Sequence, residues 1–204
     1  MKKRIDAAAI APIIGTLYPS PFDEPCRERA RKRLGDAAGL TQFGVNLLHL
    51  PPGAWSSQRH WHTAEDEFVY VLSGEVTLVS DGGDELLRAG DAAGFKAGDT
   101  NGHCLQNRSD GDAHVLEVGT RVAGNAAYYN DIDMMAPAGG KPSAYTHRDG
   151  TPVFDILQPA YAGLYSGAIH PTAEAHAIVA DHVLRHVRAI VDNRDAKRDV
   201  SNAR

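Results

Sequence analysis

Short apolar runs recur between residues 41 and 122, each closed by Gly, Asp or Ser: 42–50, 58–62, 67–73, 75–80, 85–89, 91–96, 103–107 and 114–118. Runs this short and this closely spaced leave hardly room for a helix, and they predict the strands of an antiparallel sandwich or barrel. Ser73-Gly74 and Asp81-Gly82-Gly83-Asp84 carry the turn chemistry of hairpins. The flanks differ from this core. Residues 1–40 hold a Pro-rich patch from Tyr18 to Pro25, and the apolar positions between Ile5 and Ile14 suit a short helix at most. The basic run that follows sets Glu28 among Arg27, Arg29, Arg31, Lys32 and Arg33, and it reads as a solvated helical face rather than an anion site. Residues 123–204 are looser, with Gly139-Gly140-Lys141-Pro142 and Asp149-Gly150 as breakers. After His170-Pro171-Thr172, apolar residues recur at three- and four-residue steps (Val179, Ala180, Val183, Leu184, Val187, Val191), which predicts one helix over about 171–192. The expected organisation is an N-terminal arm (1–40), a barrel core (41–122) and a C-terminal extension (123–204).

Composition narrows the function classes. The 204 residues suit one domain with extensions, and 21 Lys+Arg against 26 Asp+Glu give a formal charge of −5. That balance speaks against a general nucleic-acid binder, whose domain is usually basic. No run approaches the ~20 apolar residues of a membrane span. The basic start meets an acid and a Pro-interrupted patch instead of a secretory h-region, so no signal peptide is read there. Two cysteines, Cys26 and Cys104, are too few for a disulfide framework, and a reducing cytoplasm is the expected compartment.

The chemistry concentrates between Gly53 and Gly74. Alternation along a strand puts His60 and His62 on one face and Arg59 and Trp61 on the other. Glu67 opens the next strand, close enough in sequence to turn back toward the pair, and His103 begins another. Imidazoles and a carboxylate converging inside a barrel form a ligand set for a divalent transition metal. By spacing alone, His-x-His is equally well two histidines on a polar sheet face. The glycines and acids around the pair shift that balance.

This arrangement resembles the cupin superfamily. Its first motif runs Gly, five residues, His-x-His, three or four residues, Glu, six residues, Gly. Here six residues lead from Gly53 to His60, four separate His62 from Glu67, and six more lead to Gly74. The second motif runs Gly, five residues, Pro-x-Gly, two residues, His, three residues, Asn. Gly90 is followed by five residues, then Lys96 in the Pro position, Ala97 and Gly98; four residues precede His103, and three separate it from Asn107. The ligand end of each motif matches, while the approach to His103 carries an insertion and a substitution. Residues 59–68 (Arg-His-Trp-His-x-x-x-Asp-Glu-Phe) and 101–109 (Asn-Gly-His-x-x-x-Asn-Arg-Ser) are also similar to small bacterial single-domain cupins, some of them described as sugar-phosphate isomerases.

The resemblance implies an all-β double-stranded β-helix (a jelly-roll barrel), to which the reading of the flanks adds an N-terminal arm and a C-terminal helical extension. It implies one divalent metal, Fe, Mn, Ni or Zn, on His60, His62, Glu67 and His103, with Glu67 as ligand or as base, and a small polar molecule as substrate. A metal-dependent oxygenase stands slightly ahead of a non-redox isomerase or lyase, and a binding or sensing module without turnover is the reading of a different class. A homodimer is expected, with neither nucleic acid nor membrane as partner. Gln58 and Asn107 share the parity of the ligands and are the candidate substrate contacts. Arg59 and Cys104 face away by the same parity, and Lys96 reads as a solvated loop lysine rather than an anion anchor. His182 and His186, four apart on the C-terminal helix beside Asp181, lack a third ligand and read as a polar face. The segment His170–His176 resembles the last block of SGNH-type hydrolases, but Gly167 stands where an Asp is required and no Gly-Asp-Ser block precedes it, so hydrolase function is rejected.

Overall fold

The computed structural model describes residues 3–139 and 144–153. Its strands in chain order are β1 (Ile13–Ile14), β2 (Ala30–Arg33), β3 (Phe43–Leu50), β4 (His60–His62), β5 (Glu67–Ser73), β6 (Glu75–Ser80), β7 (Gly83–Arg88), β8 (Ala92–Phe95), β9 (Cys104–Gln106), β10 (Ala113–Thr120), β11 (Ala127–Tyr129) and β12 (Met135–Ala136). Among the described residues, helix is confined to two 3₁₀ turns and the single turn α1 (Leu34–Ala37). Each of the eight expected runs of the core overlaps a strand. The predicted helix over about 171–192 lies outside the described residues, as do His170, Asp181, His182 and His186.

One sheet runs β1-β2-β3-β10-β5-β8. The other strands form β12-β11-β4 and β7-β6-β9, and an isolated bridge between His60 and His103 links those two sets. Leu48, Leu50, Val69, Val71, Val76, Leu78, Leu105 and Val115 fill the space between the layers. These come from alternate positions of β3, β5 and β10 on one side and from β6 and β9 on the other, as strand parity requires. Each such side chain contributes about 1.5–3 kcal/mol by leaving water.

Two turns behave differently. Asp81-Gly82 closes a true hairpin, with Ser80 opposite Gly83. Ser73-Gly74 does not, because β5 pairs with β8 and β10 while β6 pairs with β7 and β9. It hands the chain from one sheet to the other. Gly74 takes φ +75°, and a Cβ there would stand 2.4 Å from the Asp112 carbonyl oxygen. Only glycine fits such an approach.

The flanking regions join the sheets. β2 from the N-terminal region pairs with β3, and beyond residue 122 β11 pairs with β4 and β12 pairs with β11. Residues Ala30–Arg33 of the basic run thus form a strand instead of the expected helical face. Arg31 lies opposite buried Leu48 and faces inward, while Lys32 lies opposite Leu47 and faces out. Charges on both faces hid the two-residue period. A second core gathers Tyr18 and Cys26 against Tyr129 and Met134, clasping the N-terminal region to the segment after β10.

Candidate metal centre

Three strand segments bring the site together. His60 and His103 exchange both backbone hydrogen bonds, His60 N to His103 O at 3.1 Å and His103 N to His60 O at 2.9 Å. Such a pair sets the two rings side by side, with centroids 4.9 Å apart. His62, two residues along β4, shares that face, and its ring centroid is 5.0 Å from that of His60. Glu67 enters from the opposite sheet at the first position of β5, where its strand partner is Gly119. Phe95 on β8 lies parallel to the His103 ring at 3.4 Å.

Each of the three imidazoles faces the Glu67 carboxylate. Glu67 Oε2 is 3.7 Å from His60 Nε2, 3.5 Å from His62 Nε2 and 3.0 Å from His103 Nε2. Ligating atoms of His60, His62 and Glu67 all lie within 4.8 Å of one another, so these three can hold a metal ion. Although the atoms are close, Oε2 is sealed from solvent and has no hydrogen bond of acceptable geometry. Leaving a buried carboxylate oxygen unsatisfied costs several kcal/mol. A cation between the oxygen and the imidazoles would remove that cost, so the donor set fits a metal. His60 is oriented for this, since its Nδ1–H donates to the Gln58 carbonyl at 2.9 Å and leaves the Nε2 lone pair directed inward.

The electrostatics agree. Burial brings His60 down to about 3, so the ring is neutral and able to ligate at ordinary pH. Burial alone would push the Glu67 carboxyl up, but His103 against it, helped by His60 and His62, holds it below the usual carboxylate range.

The structure separates the other candidates. Gln58 is buried and donates from Nε2 to the Phe22 carbonyl at 2.6 Å, holding the N-terminal region to the barrel. Asn107 is 1% exposed; its amide donates to the Leu50 and Gly111 carbonyls at 2.7 and 2.8 Å and accepts from Ser109 N and Oγ. Both bind backbone, and neither lines the cavity of about 180 Å³ beside the ligands. Arg59 does face away, pairing with Asp81 and Asp131. Cys104 is a buried thiol pushed up to about 12 by desolvation. Lys96 lines the cavity with Glu65, Glu67, Glu85 and Asp99. Its turn is fixed from both sides, by Ala97 N on Asp66 Oδ1 and Gly98 N on the His62 carbonyl.

Sequence reasoning missed Asn125. Its Nδ2 lies 2.8 Å from His62 Nδ1 and 2.9 Å from Glu65 Oε2, while its Oδ1 accepts from Ala64 N. The amide therefore fixes the ring of a ligand from a loop that carries no motif. Tyr129 was missed too; its ring lies 5.7 Å from that of His60.

Comparison with known proteins agrees with this geometry. Residues 46–119 match the family model described as Cupin domain. A crystal structure from Silicibacter pomeroyi, named as a sugar phosphate isomerase of the cupin superfamily, is 47% identical, with a TM-score of 0.70 over 74% of this chain and 96% of that one. A second structure, from Acidithiobacillus ferrooxidans and provisionally named a sugar phosphate isomerase, is 29% identical, with a TM-score of 0.53 over 58% and 74% of the two chains. No curated protein matches the sequence.

Proposed function

The chain belongs to the cupin superfamily, and on that premise we propose that it is a metal-dependent enzyme of the non-redox isomerase type acting on a phosphorylated sugar. The observation that carries the metal-dependent reading is the convergence of three imidazole Nε2 atoms on the orphaned Oε2 of Glu67. His60, His62, Glu67 and His103 hold the ion, inside a jelly-roll barrel whose two layers supply ligands from both sides. A divalent ion supplies Lewis acidity, polarising a carbonyl or hydroxyl of the substrate.

The chain's own residues do the rest. Leu78 and Phe95 line the cavity beside the ligands together with the charged Glu65, Glu85, Lys96 and Asp99. Phe95 and the His60–His103 bridge lock two of the rings, so the donor set is organised before substrate arrives. The sequence placed dioxygen chemistry slightly ahead of isomerisation. The 47% identity to a protein named as a sugar phosphate isomerase reverses that order.

The test is a panel of phosphorylated and unphosphorylated aldoses and ketoses with the metal-loaded full chain in D2O, followed by NMR. Interconversion of a phosphorylated pair, with deuterium entering next to the carbonyl, supports the proposal. Substrate-dependent oxygen uptake by the iron-loaded chain, with no interconversion, contradicts it and restores the oxygenase reading.

A further inference from the structure

The loop that leads into His103 holds four residues, Asp99 to Gly102, where the cupin motif has two. Its ends are tied to the strand that carries the other two imidazoles. Gly98 N donates to the His62 carbonyl at 2.8 Å, and His103 N donates to the His60 carbonyl at 2.9 Å. Between those ends Asp99 and Asn101 line the cavity beside the ligands, along with Ser80 from the β6–β7 hairpin and Trp61 from β4. The loop is a wall of that cavity. Residues 99–102 belong to no strand, so contacts from neighbouring elements must hold them.

Two contacts do so. Asn101 Oδ1 accepts from Asp81 N at 2.7 Å, and the Thr100 carbonyl accepts from Asn130 Nδ2 at 3.0 Å. The Asn130 side chain lies against the loop, where a Cβ on Gly102 would stand 2.2 Å from its Oδ1 and 2.5 Å from its Cγ. That oxygen is buried without a hydrogen-bond partner among the described residues, which is a cost of the close seat on Gly102. Arg59 joins both contacts. Its carbonyl accepts from Asn130 N at 3.0 Å. Its guanidinium donates to both oxygens of Asp131, with Nε to Oδ2 at 2.9 Å, and through Nη1 to Asp81 Oδ1. The Arg59 side chain is only 16% exposed, and a planar fork shared between two carboxylates fixes their relative position as a single point charge would not. One guanidinium thus ties the tip of the β6–β7 hairpin to the segment after β11, and each of these carries one clamp on the loop.

We propose that Arg59 is a positioning residue: through Asp81 and Asn130 it holds the loop Asp99–Gly102 where Asp99 and Asn101 meet the substrate. This rests on the reading of the cavity beside the metal ligands as the place where a sugar substrate binds. The Arg59 side chain turns away from the ligands and does not line the cavity, so it acts through the wall and not on the substrate itself. The hydroxyls of a sugar both donate and accept, and the Asn101 amide and the Asp99 carboxylate can read them. A displacement of such a wall by about 1 Å is enough to spoil that reading.

The test compares Arg59→Gln, Asn101→Ala and their double variant in the full chain. Arg27→Gln, which breaks a bidentate pair with Asp23 in the N-terminal region, is the charge-matched control. Hydrogen exchange in the metal-free chain reads the loop directly. Amides of residues 99–102 are expected to exchange at least about tenfold faster in Arg59→Gln and at the wild-type rate in Arg27→Gln. In the metal-loaded chain, with a phosphorylated sugar that the wild type interconverts, Arg59→Gln should raise KM about tenfold while kcat stays within about threefold. The loss in the double variant should fall well short of the product of the two single losses, because both act through the same wall. Arg59→Lys keeps the charge without the fork and guards against a folding defect; it is expected to lie between wild type and Arg59→Gln. Unchanged exchange in Arg59→Gln overturns the proposal, as do losses that multiply independently in the double variant. Turnover with KM unmoved by Arg59→Gln and Arg59→Lys overturns the positioning role and leaves the isomerase reading standing. Faster exchange without turnover of any sugar phosphate supports the hold on the loop while overturning the isomerase reading.

Discussion

His103 Nε2 stands 3.0 Å from Glu67 Oε2, although the two residues come from opposite layers of the barrel. The contact ties β5 to the start of β9 at the point where the other two imidazoles also arrive. If Glu67 holds the ion, Glu67→Gln removes the only anionic donor of the set and weakens metal binding at least about tenfold, as the metal centre relies on that charge. Competition against a fluorescent chelator measures this. Unchanged affinity with lost turnover would mean that Glu67 moves a proton and is not a ligand.

Asn125 fixes the ring of His62 through Nδ1 and ties it to Glu65. Asn125→Ala frees the ring to rotate and is expected to cost about 10–100-fold in metal affinity, in line with the loss of other groups that orient a ligand. The same chelator titration reads it. Affinity within twofold of wild type would show that β4 alone holds the ring in place.

Asn107 satisfies two carbonyls and two donors within a loop that solvent hardly reaches. Asn107→Ala orphans those groups and is expected to destabilise the chain by about 2–4 kcal/mol. Denaturant unfolding measures the loss, and KM is expected to stay at its wild-type value. A raised KM in a fully stable variant would return Asn107 to the substrate.

Metal-free protein is expected to weaken in acid over a defined window. The folded chain keeps His60 neutral down to about 3, whereas an unfolded imidazole takes up its proton near 6.5. Between those values the unfolded state binds more protons, so stability is fully present above pH 6.5 and drains away as pH falls toward 3. The slope for this group is at most about 1.4 kcal/mol per pH unit. Urea midpoints at pH 7, 5.5 and 4 follow the loss, and His60→Asn flattens it. A wild-type midpoint that does not move over this range would show that His60 is not buried neutral.

Much of this was legible in the residues themselves. The eight core strands follow from alternation and punctuation, and the parity argument put His60 and His62 together and turned Arg59 outward. Gly74 was visible as a turn, but its role was not: only three dimensions reveal that Asp112 passes within van der Waals reach. Gln58 lies beyond the first residue of β4, where the chain is no longer a strand and parity does not carry, and its amide goes to the Phe22 carbonyl. Asn107 shows how an amide on the ligand face is taken up by the backbone of its own loop. Arg31 and Arg33 of β2 stand two apart, but Lys32 between them puts the same charge on the other face and masked the period. Asn125 lies in a segment whose composition reads as linker, and nothing local announces that it reaches a ligand.

Metal content of the tag-free full chain, by plasma mass spectrometry beside a His60→Ala/His103→Ala variant, tests the metal centre most directly. Near-stoichiometric divalent metal in the wild type and its loss in the variant is the predicted result. Metal absent from both after anaerobic reconstitution, or retained equally by the variant, would contradict a centre built on these imidazoles.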